Sequence, residues 1–441
     1  MRSRLLLLAL LALLVPLVTA GCGGDDDEEG EATGAAQTDG GEAVSGSVSV
    51  MSTWSGPEQA SFEAVIDGFT EQNPDVDVTY DSAGDALPTV LSTAVEGGNP
   101  PDVALVPQPG LVQGYVERGA LQPLDFAQET ISENFAESVI QTGTFDDQLY
   151  GLVFKASNKS TVWYNVQAFE DAGVEPPETW DDFLAAAETL KAAGIPAYSL
   201  GGAEGWTLTD LFENIYVRTA GIDMYNQLSR HEIPWTDQSV KDALTEMASI
   251  VGDTDNITGG TNGALQSDFA TSVSNVFAED PEAAMVLEGD FVPGVVESPL
   301  EAESGYNVFP FPSINDSPPS VVASGDLAIL FNDSPAAQAF IEYLATPEAA
   351  QIWAGRGGFS SANQNLDPSA YPDAITQETA GAVAEAEQFV FDLSDLQPSA
   401  FGATEGQGLW KLFQDFVRNP DAVDGIAQQM EAAAAQAYGG G

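Results

Sequence analysis

Two lysines four residues apart stand out in a chain that is poor in cations. Lys155 and Lys159 lie in GLVFKASNKSTVWYN, residues 151–165, beside Asn158, Trp163, Tyr164 and Asn165. Ammonium and amide donors next to aromatic rings suit recognition of a polar ligand that also presents an apolar face. Lys155 and Asn158 are expected to reach such a ligand, and Lys159, Trp163 and Tyr164 to hold the backbone. A second set of rings, Trp54, Trp206, Phe291 and Trp410, falls at expected strand-to-helix junctions or helix starts. Each has Gly, Ser or a carboxylate close by. That combination fits neutral sugars, whose C–H faces stack on rings while polar side chains bond the hydroxyls. Gln108, Asp210, Glu288, Asp290, Asp326 and Arg356 complete the candidate set with Lys155 and Asn158. Trp180, Trp235 and Trp353 read as packing residues.

Other chemistries lack their parts. No G-x-x-x-x-G-K-[ST] occurs, and no G-x-G-x-x-G lies between strand and helix. The lone histidine, His231, leaves nothing from which to build a zinc site or a Ser-His-Asp triad. It reads as a surface loop residue. Asp253 and Asp255 are two apart, but Ile257 breaks the calcium-loop pattern. No catalytic residue, metal or cofactor is expected. A secreted glycosidase needs only two carboxylates across a cleft and stays open as an alternative. Five arginines follow Arg4, too few for a dianionic ligand such as a sugar phosphate. The ligand is therefore expected to be uncharged, a sugar or another neutral solute such as a polyol.

Charge sets the setting. The chain has 441 residues with 68 acids against 12 lysines and arginines, a formal net charge of -56. Only eight of the acids fall in the first 46 residues, so the acidity belongs to the folded body. Such a field repels nucleic acid and anionic lipid. It reads as adaptation to high salt, the competing reading being an ordinary acidic secreted protein that binds cations. Arg2 and Arg4 precede an apolar run, Leu5–Val18, too short to cross a bilayer of roughly 30 Å. Residues 1–21 read as a signal peptide. Thr19-Ala20-Gly21-Cys22 resembles a lipobox, although threonine replaces the favoured leucine, so Cys22 is the expected lipidation site. Residues 22–45, acidic and Gly-rich, are expected to be a disordered tether to the outer face of the cell membrane.

The elements that must position these residues alternate. Ser47–Met51, Val76–Tyr80 and Asp102–Val106 read as strands, separated by helices at 61–71 and 86–95. That order implies a parallel sheet with helices on both faces. Ligands then bind beyond the strands' carboxyl ends, here Thr53–Gly56 and Pro107–Gly110. A second alternation runs from a helix near 181–192, capped by Thr179, through strands at 197–200, 283–287, 306–311 and 321–331. Helices at 335–344, 347–354 and 405–437 follow, the last broken at Asn419-Pro420. Two α/β sets imply two lobes and a cleft, with crossings at 154–164, 307–313 and 355–363. One lobe is expected from 46–156 plus 308–355, the other from 160–305 plus 358–438.

Several stretches carry a family resemblance: PPDVALVPQPGLV (100–112), LYGLVFKASNKSTVWYN (149–165), AGVEPPETWDDF (172–183), AMVLEGDF (284–291), the run from Gly325 to Asn363, and FDLSDLQPSAFG (391–402). In these the chain resembles family 1 extracellular solute-binding proteins of carbohydrate ABC transporters, the maltose-binding-protein class, and most of all α-glucoside-binding members. The resemblance spans nearly all of 48–438. It implies the two-lobe type II periplasmic-binding-protein fold, a monomer that closes on a sugar, and delivery to a membrane permease without catalysis. It further implies ring stacking by Trp206, Phe291 and Trp410. Such members often carry tryptophan where this chain has Phe291, which implies weaker stacking there.

Overall fold

The computed structural model describes residues 44–296, 300–385 and 389–439. The signal-peptide reading of 1–21, the lipidation site Cys22 and almost all of the 22–45 tether lie outside the described residues.

Twelve strands are described: β1 Gly46–Ser52, β2 Val76–Ser82, β3 Val103–Val106, β4 Thr144–Phe145, β5 Gln148–Leu149, β6 Gly151–Asn158, β7 Thr161–Asn165, β8 Tyr198–Ser199, β9 Met285–Leu287, β10 Tyr306–Pro310, β11 Val321–Leu330 and β12 Phe389–Phe391. The first sheet has the order β12-β11-β3-β1-β2, with β6 also on β11. The second has the order β10-β7-β9-β8, and β4 with β5 forms a separate hairpin. Each sheet with its helices makes one lobe of an α/β protein.

The first sheet is mixed rather than all-parallel. β1 runs parallel to β2 and β3, as the alternation predicts. β11 returns from the other lobe and joins β3 antiparallel, then receives β6 antiparallel. The register of β11 on β6 shifts between Asp326 and Leu327. Helix Gly56–Gln72 opens with Pro57 in its first turn and lays Phe62, Val65, Ile66 and Phe69 on the sheet. That i, i+3, i+4, i+7 stripe is the core-facing face of a helix. Thr179 caps the 180–193 helix by accepting from the Asp182 amide.

The stretch 151–165 is two strands, not an open crossing. β6 lies in the first sheet and β7 in the second, joined by Lys159-Ser160 alone. The junction is bolted on both sides. The Lys159 amide donates to the Val322 carbonyl (2.8 Å), and the Val322 amide donates to Ser160 Oγ (2.8 Å). Ser160 N donates to Asn158 Oδ1 at 2.9 Å. β10 lies wholly in the second sheet, so the return runs between Pro310 and Val321, later than 305–308. The 355–363 segment stays with the first lobe's core through Phe359. The chain leaves the first sheet for the last time after β12, where residues 392–397 lead into helices 408–418 and 423–439, packed in the second lobe's core.

Candidate ligand cleft

A cleft of about 780 Å³ is lined from both sheets' lobes. From the first lobe come Thr53–Glu58 after β1, Gly84 and Asp85 after β2, and Pro107 and Gln108 after β3. From the second come Glu204, Trp206, the 268–279 helix region, Phe291 and Trp410. Lys155, Ser157 and Lys159 on the β6–β7 ribbon, with Ser324 and Asp326 on β11, form its floor. The strands' carboxyl ends supply the lining, as parallel α/β sheets require.

Seven of the twelve expected site residues line this cleft: Trp54, Gln108, Lys155, Trp206, Phe291, Asp326 and Trp410. The other five are not among its lining residues. Asp210 holds Lys159, and Asp290 accepts from Ser360 Oγ at 2.5 Å. Asn158 accepts from Ser160 and, through its carbonyl, from the Asp290 amide. Glu288 accepts from Thr161 Oγ1 through its carbonyl, and Arg356 Nε donates to Ser61 Oγ at 3.0 Å. Their residue types suggest hydroxyl binding, but Asn158, Asp210, Glu288 and Asp290 are buried in the protein, and Arg356 is exposed outside the cleft lining.

Lys155 is 3 % exposed because β6 is covered on both faces. Its Nζ meets Glu58 Oε1 at 2.6 Å and lies 5.0, 5.5 and 5.7 Å from the ring centres of Trp353, Phe291 and Trp54. Each such contact is worth about 0.5–2 kcal/mol. Burial works against the ammonium, but the Glu58 and Asp326 carboxylates outweigh it and hold its pKa above the usual lysine range. Lys159, expected to be structural, also reaches the cleft. It bridges Asp392 Oδ2 (2.6 Å) and Asp210 Oδ1 (3.0 Å) and sits 5.5 Å from the Trp206 ring centre. Burial opposes its charge too, and Asp210 and Asp392 outweigh burial.

The carboxylates answer to the same burial. It pushes Asp210 and Asp290 up to about 7 and Asp326 to about 6, with the lysines pulling the other way. Asp392 is buried as deeply, yet Lys159 and the Asp395 and Ser394 donors hold it below the usual range. Gln108 Oε1 and the indole N–H of Trp410 are among the cleft groups that lack partners among the described residues. Both side chains are at least 96 % buried. An acceptor and a donor left unmet cost free energy unless a ligand or water meets them.

Trp206, Phe269 and Phe291 form a ring cluster with centres 5.3–6.2 Å apart. Phe269, Asp85, Glu204 and Glu58 were not singled out in the sequence. Asp85 was findable: it follows β2 as Trp54 follows β1 and Gln108 follows β3. Trp54 is edge-on to Trp353 at 4.7 Å and 4.9 Å from Phe62, so it packs the core and lines the cleft at once. Trp180 and Trp235 are buried in the second lobe's core, and Trp353 in the first's.

Residues 53–351 match the family model described as bacterial extracellular solute-binding protein. The chain belongs to this family. The osmoprotective compounds-binding protein GgtB of Synechocystis is 31 % identical over 381 residues, 85 % of this chain and 89 % of that protein. The alpha-glucosides-binding periplasmic protein AglE of Rhizobium meliloti is 30 % identical over 392 residues, 86 % and 84 % of the two chains. Among solved structures, the bacterial solute receptor AcbH superposes with a TM-score of 0.77 at 20 % identity, covering 88 % of this chain and 98 % of that one. These are type II two-lobe binding proteins, not enzymes, which sets the glycosidase alternative aside. Membership of an extracellular family places the protein outside the cytoplasm. No helix among the described residues is long and apolar enough to cross a membrane.

Proposed function

We propose that this protein captures a neutral sugar, an α-glucoside or a related small oligosaccharide, and hands it to the permease of an ABC transporter. The observation that carries this reading is the cleft lining. Trp54, Trp206, Phe291 and Trp410 border one space with Gln108, Asp326 and Lys155, and no arginine is among the lining residues. Rings offer faces for pyranose C–H groups, and the carboxylate and amide oxygens offer acceptors for hydroxyls. A volume of about 780 Å³ is in the range of small-ligand sites. The names of AglE, an α-glucoside binder, and of the multiple sugar-binding protein of Streptococcus mutans support the same class. The name of GgtB favours a second ligand class, small osmoprotective solutes, for the same cleft.

In this reading the two lobes close as a monomer on the bound sugar. Ligand contacts to both lobes shift the population toward the closed form. The Lys159-Ser160 link and the segments 311–320 and 392–397 carry the hinge. Cys22 carries lipid and tethers the protein to the outer face of the membrane through residues 22–45.

A thermal-shift screen tests the ligand. Ligand at 100 times Kd adds roughly 2.7 kcal/mol. The melting point is expected to rise with maltose, trehalose, sucrose or a longer glucoside. If only polyols raise it, the osmoprotectant class replaces the glucoside, and if no neutral solute does, the proposal is wrong.

A further inference from the structure

One corner of the cleft holds charge that sugar stacking does not use. Asp85 sits in the turn Gly84–Ala86 after β2, on the first lobe. Glu204 and Asp268 come from the second lobe, just before the 206–220 and 269–277 helices. All three line the cleft. Glu58, Asp326 and Asp395 have the two cleft lysines for company. Asp85, Glu204 and Asp268 have no ion-pair partner among the described residues. Asp268 spends one oxygen on capping Thr271 N at 2.7 Å, and Glu204 Oε2 is shut off from water without a hydrogen-bond partner. Glu405 adds a further negative charge to both Asp85 and Glu204, and Glu58 one to Asp85. The adjoining wall is the Trp206–Phe269–Phe291 ring cluster, whose neighbouring ammoniums, Lys159 at Trp206 and Lys155 at Phe291, are already paired with Asp210, Asp392 and Glu58.

We propose that Asp85 and Glu204 are specificity-determining residues: facing across the cleft from opposite lobes, they admit neutral and cationic solutes, reject anionic ones, and make closure depend on ionic strength. This rests on the reading of the cleft as a solute-capture site. Closing brings like charges together out of water, which costs free energy. An anion adds to that cost, while a hydroxyl donor or an ammonium relieves it. Salt relieves it as well, since the screening length falls from about 10 Å at 0.1 M to about 3 Å at 1 M. Protons act in the same direction. Burial, with Asp268, Glu405 and Glu58, pushes Asp85 up to about 6, and burial with Asp85, Asp268 and Glu405 pushes Glu204 up to about 7. The closed cleft thus takes up protons, and closure weakens as pH rises through that window. Carboxylates acting only as hydroxyl acceptors would give the opposite sign, because they accept best when ionised.

The test is titration calorimetry at pH 8 with trehalose, 6-amino-6-deoxytrehalose and the 6-carboxylate of trehalose, in low and in high salt. The native chain is expected to bind the amine at least as tightly as trehalose and the carboxylate at least about tenfold more weakly, a 1.4 kcal/mol gap. High salt or pH 5.5 should tighten trehalose binding severalfold. In the D85N/E204Q double variant the carboxylate should recover and the salt and pH responses should flatten. An unchanged carboxylate penalty in that variant, or trehalose binding that tightens with rising pH, overturns the proposal. Small-angle scattering without ligand separates this from failure of the sugar reading. The native protein should become more compact with salt or acid and the double variant should not respond; a native protein indifferent to both overturns the gate even if sugars bind.

Discussion

Lys155 reaches the cleft, and Asn158, expected beside it, does not. Its position four residues before Lys159 drew attention, and the structure gives it an ion pair, three ring faces and a place on the cleft floor. Asn158, three residues along the same strand, turns inward to the β6–β7 junction. The alternation of a strand explains part of this difference, and burial of both faces explains the rest. Replacing Lys155 by Met would leave the Glu58, Asp326 and Asp290 charges facing an apolar side chain. Removing one partner of a buried pair costs about 3–5 kcal/mol. The Lys155→Met variant is expected to lose that much in urea unfolding, and Glu58→Gln less, because the Glu58 side chain is 15 % exposed. Equal stability of Lys155→Met and the native protein would show that the pair contributes nothing net.

The 392–397 segment is the element that sequence reading missed. Its backbone amides at Leu393 and Ser394 donate to Glu213 Oε2 (2.7 Å) and Oε1 (2.9 Å) of the 206–220 helix. Tyr225 Oη donates both to Glu213 and to the Phe391 carbonyl. Asp392 in the same segment holds Lys159. One helix therefore supplies Trp206 to the cleft, Asp210 to the lysine and Glu213 to the strap, spaced three to four residues apart on one face. Nothing in FDLSDLQ marks it as a partner of that helix, since the partners are about 180 residues apart in sequence. Glu213→Ala would strand two buried amides and open a cavity, a loss of about 2–4 kcal/mol. Hydrogen exchange at Leu393 and Ser394 should speed up more than in the first sheet. Uniform protection across both regions would mean the strap is held by other contacts.

At the scale of the molecule, electrostatics opposes the fold. Asp210, Asp290 and Glu204 rise to about 7 and Asp85 and Asp326 to about 6, with burial the first cause each time. Their unfolded values lie near 4, so between about 4 and 7 the folded state binds more protons than the unfolded one. Stability then falls as pH rises through that range. Asp392 runs the other way: it stabilises above its ordinary value, and that contribution is lost as pH falls through its lowered one. The expected maximum is at about pH 4, read by denaturant unfolding in steps from about pH 3 to about 8; a maximum above pH 7 would contradict it. With a net charge of -56, self-repulsion also predicts a melting point that climbs with salt. A melting point independent of salt between about 0.05 and 1 M would remove the high-salt reading of the acidity.

The sequence by itself determined the class of fold, the helix caps, the carboxyl-end loops that line the cleft, and the family. These are local: hydrophobic period, capping residues and strand-end position are all set within a dozen residues. Only the tertiary structure decided which polar side chains face the cleft, because a strand's two faces are told apart by what packs on them. It alone paired β11 antiparallel to β3, so that the first sheet is mixed, and brought Asp392 to Lys159 across 233 residues. It alone put Asp85 of one lobe and Glu204 of the other on the same cleft. No spacing encodes such meetings, since they follow from how two sheets and their crossings close on one another.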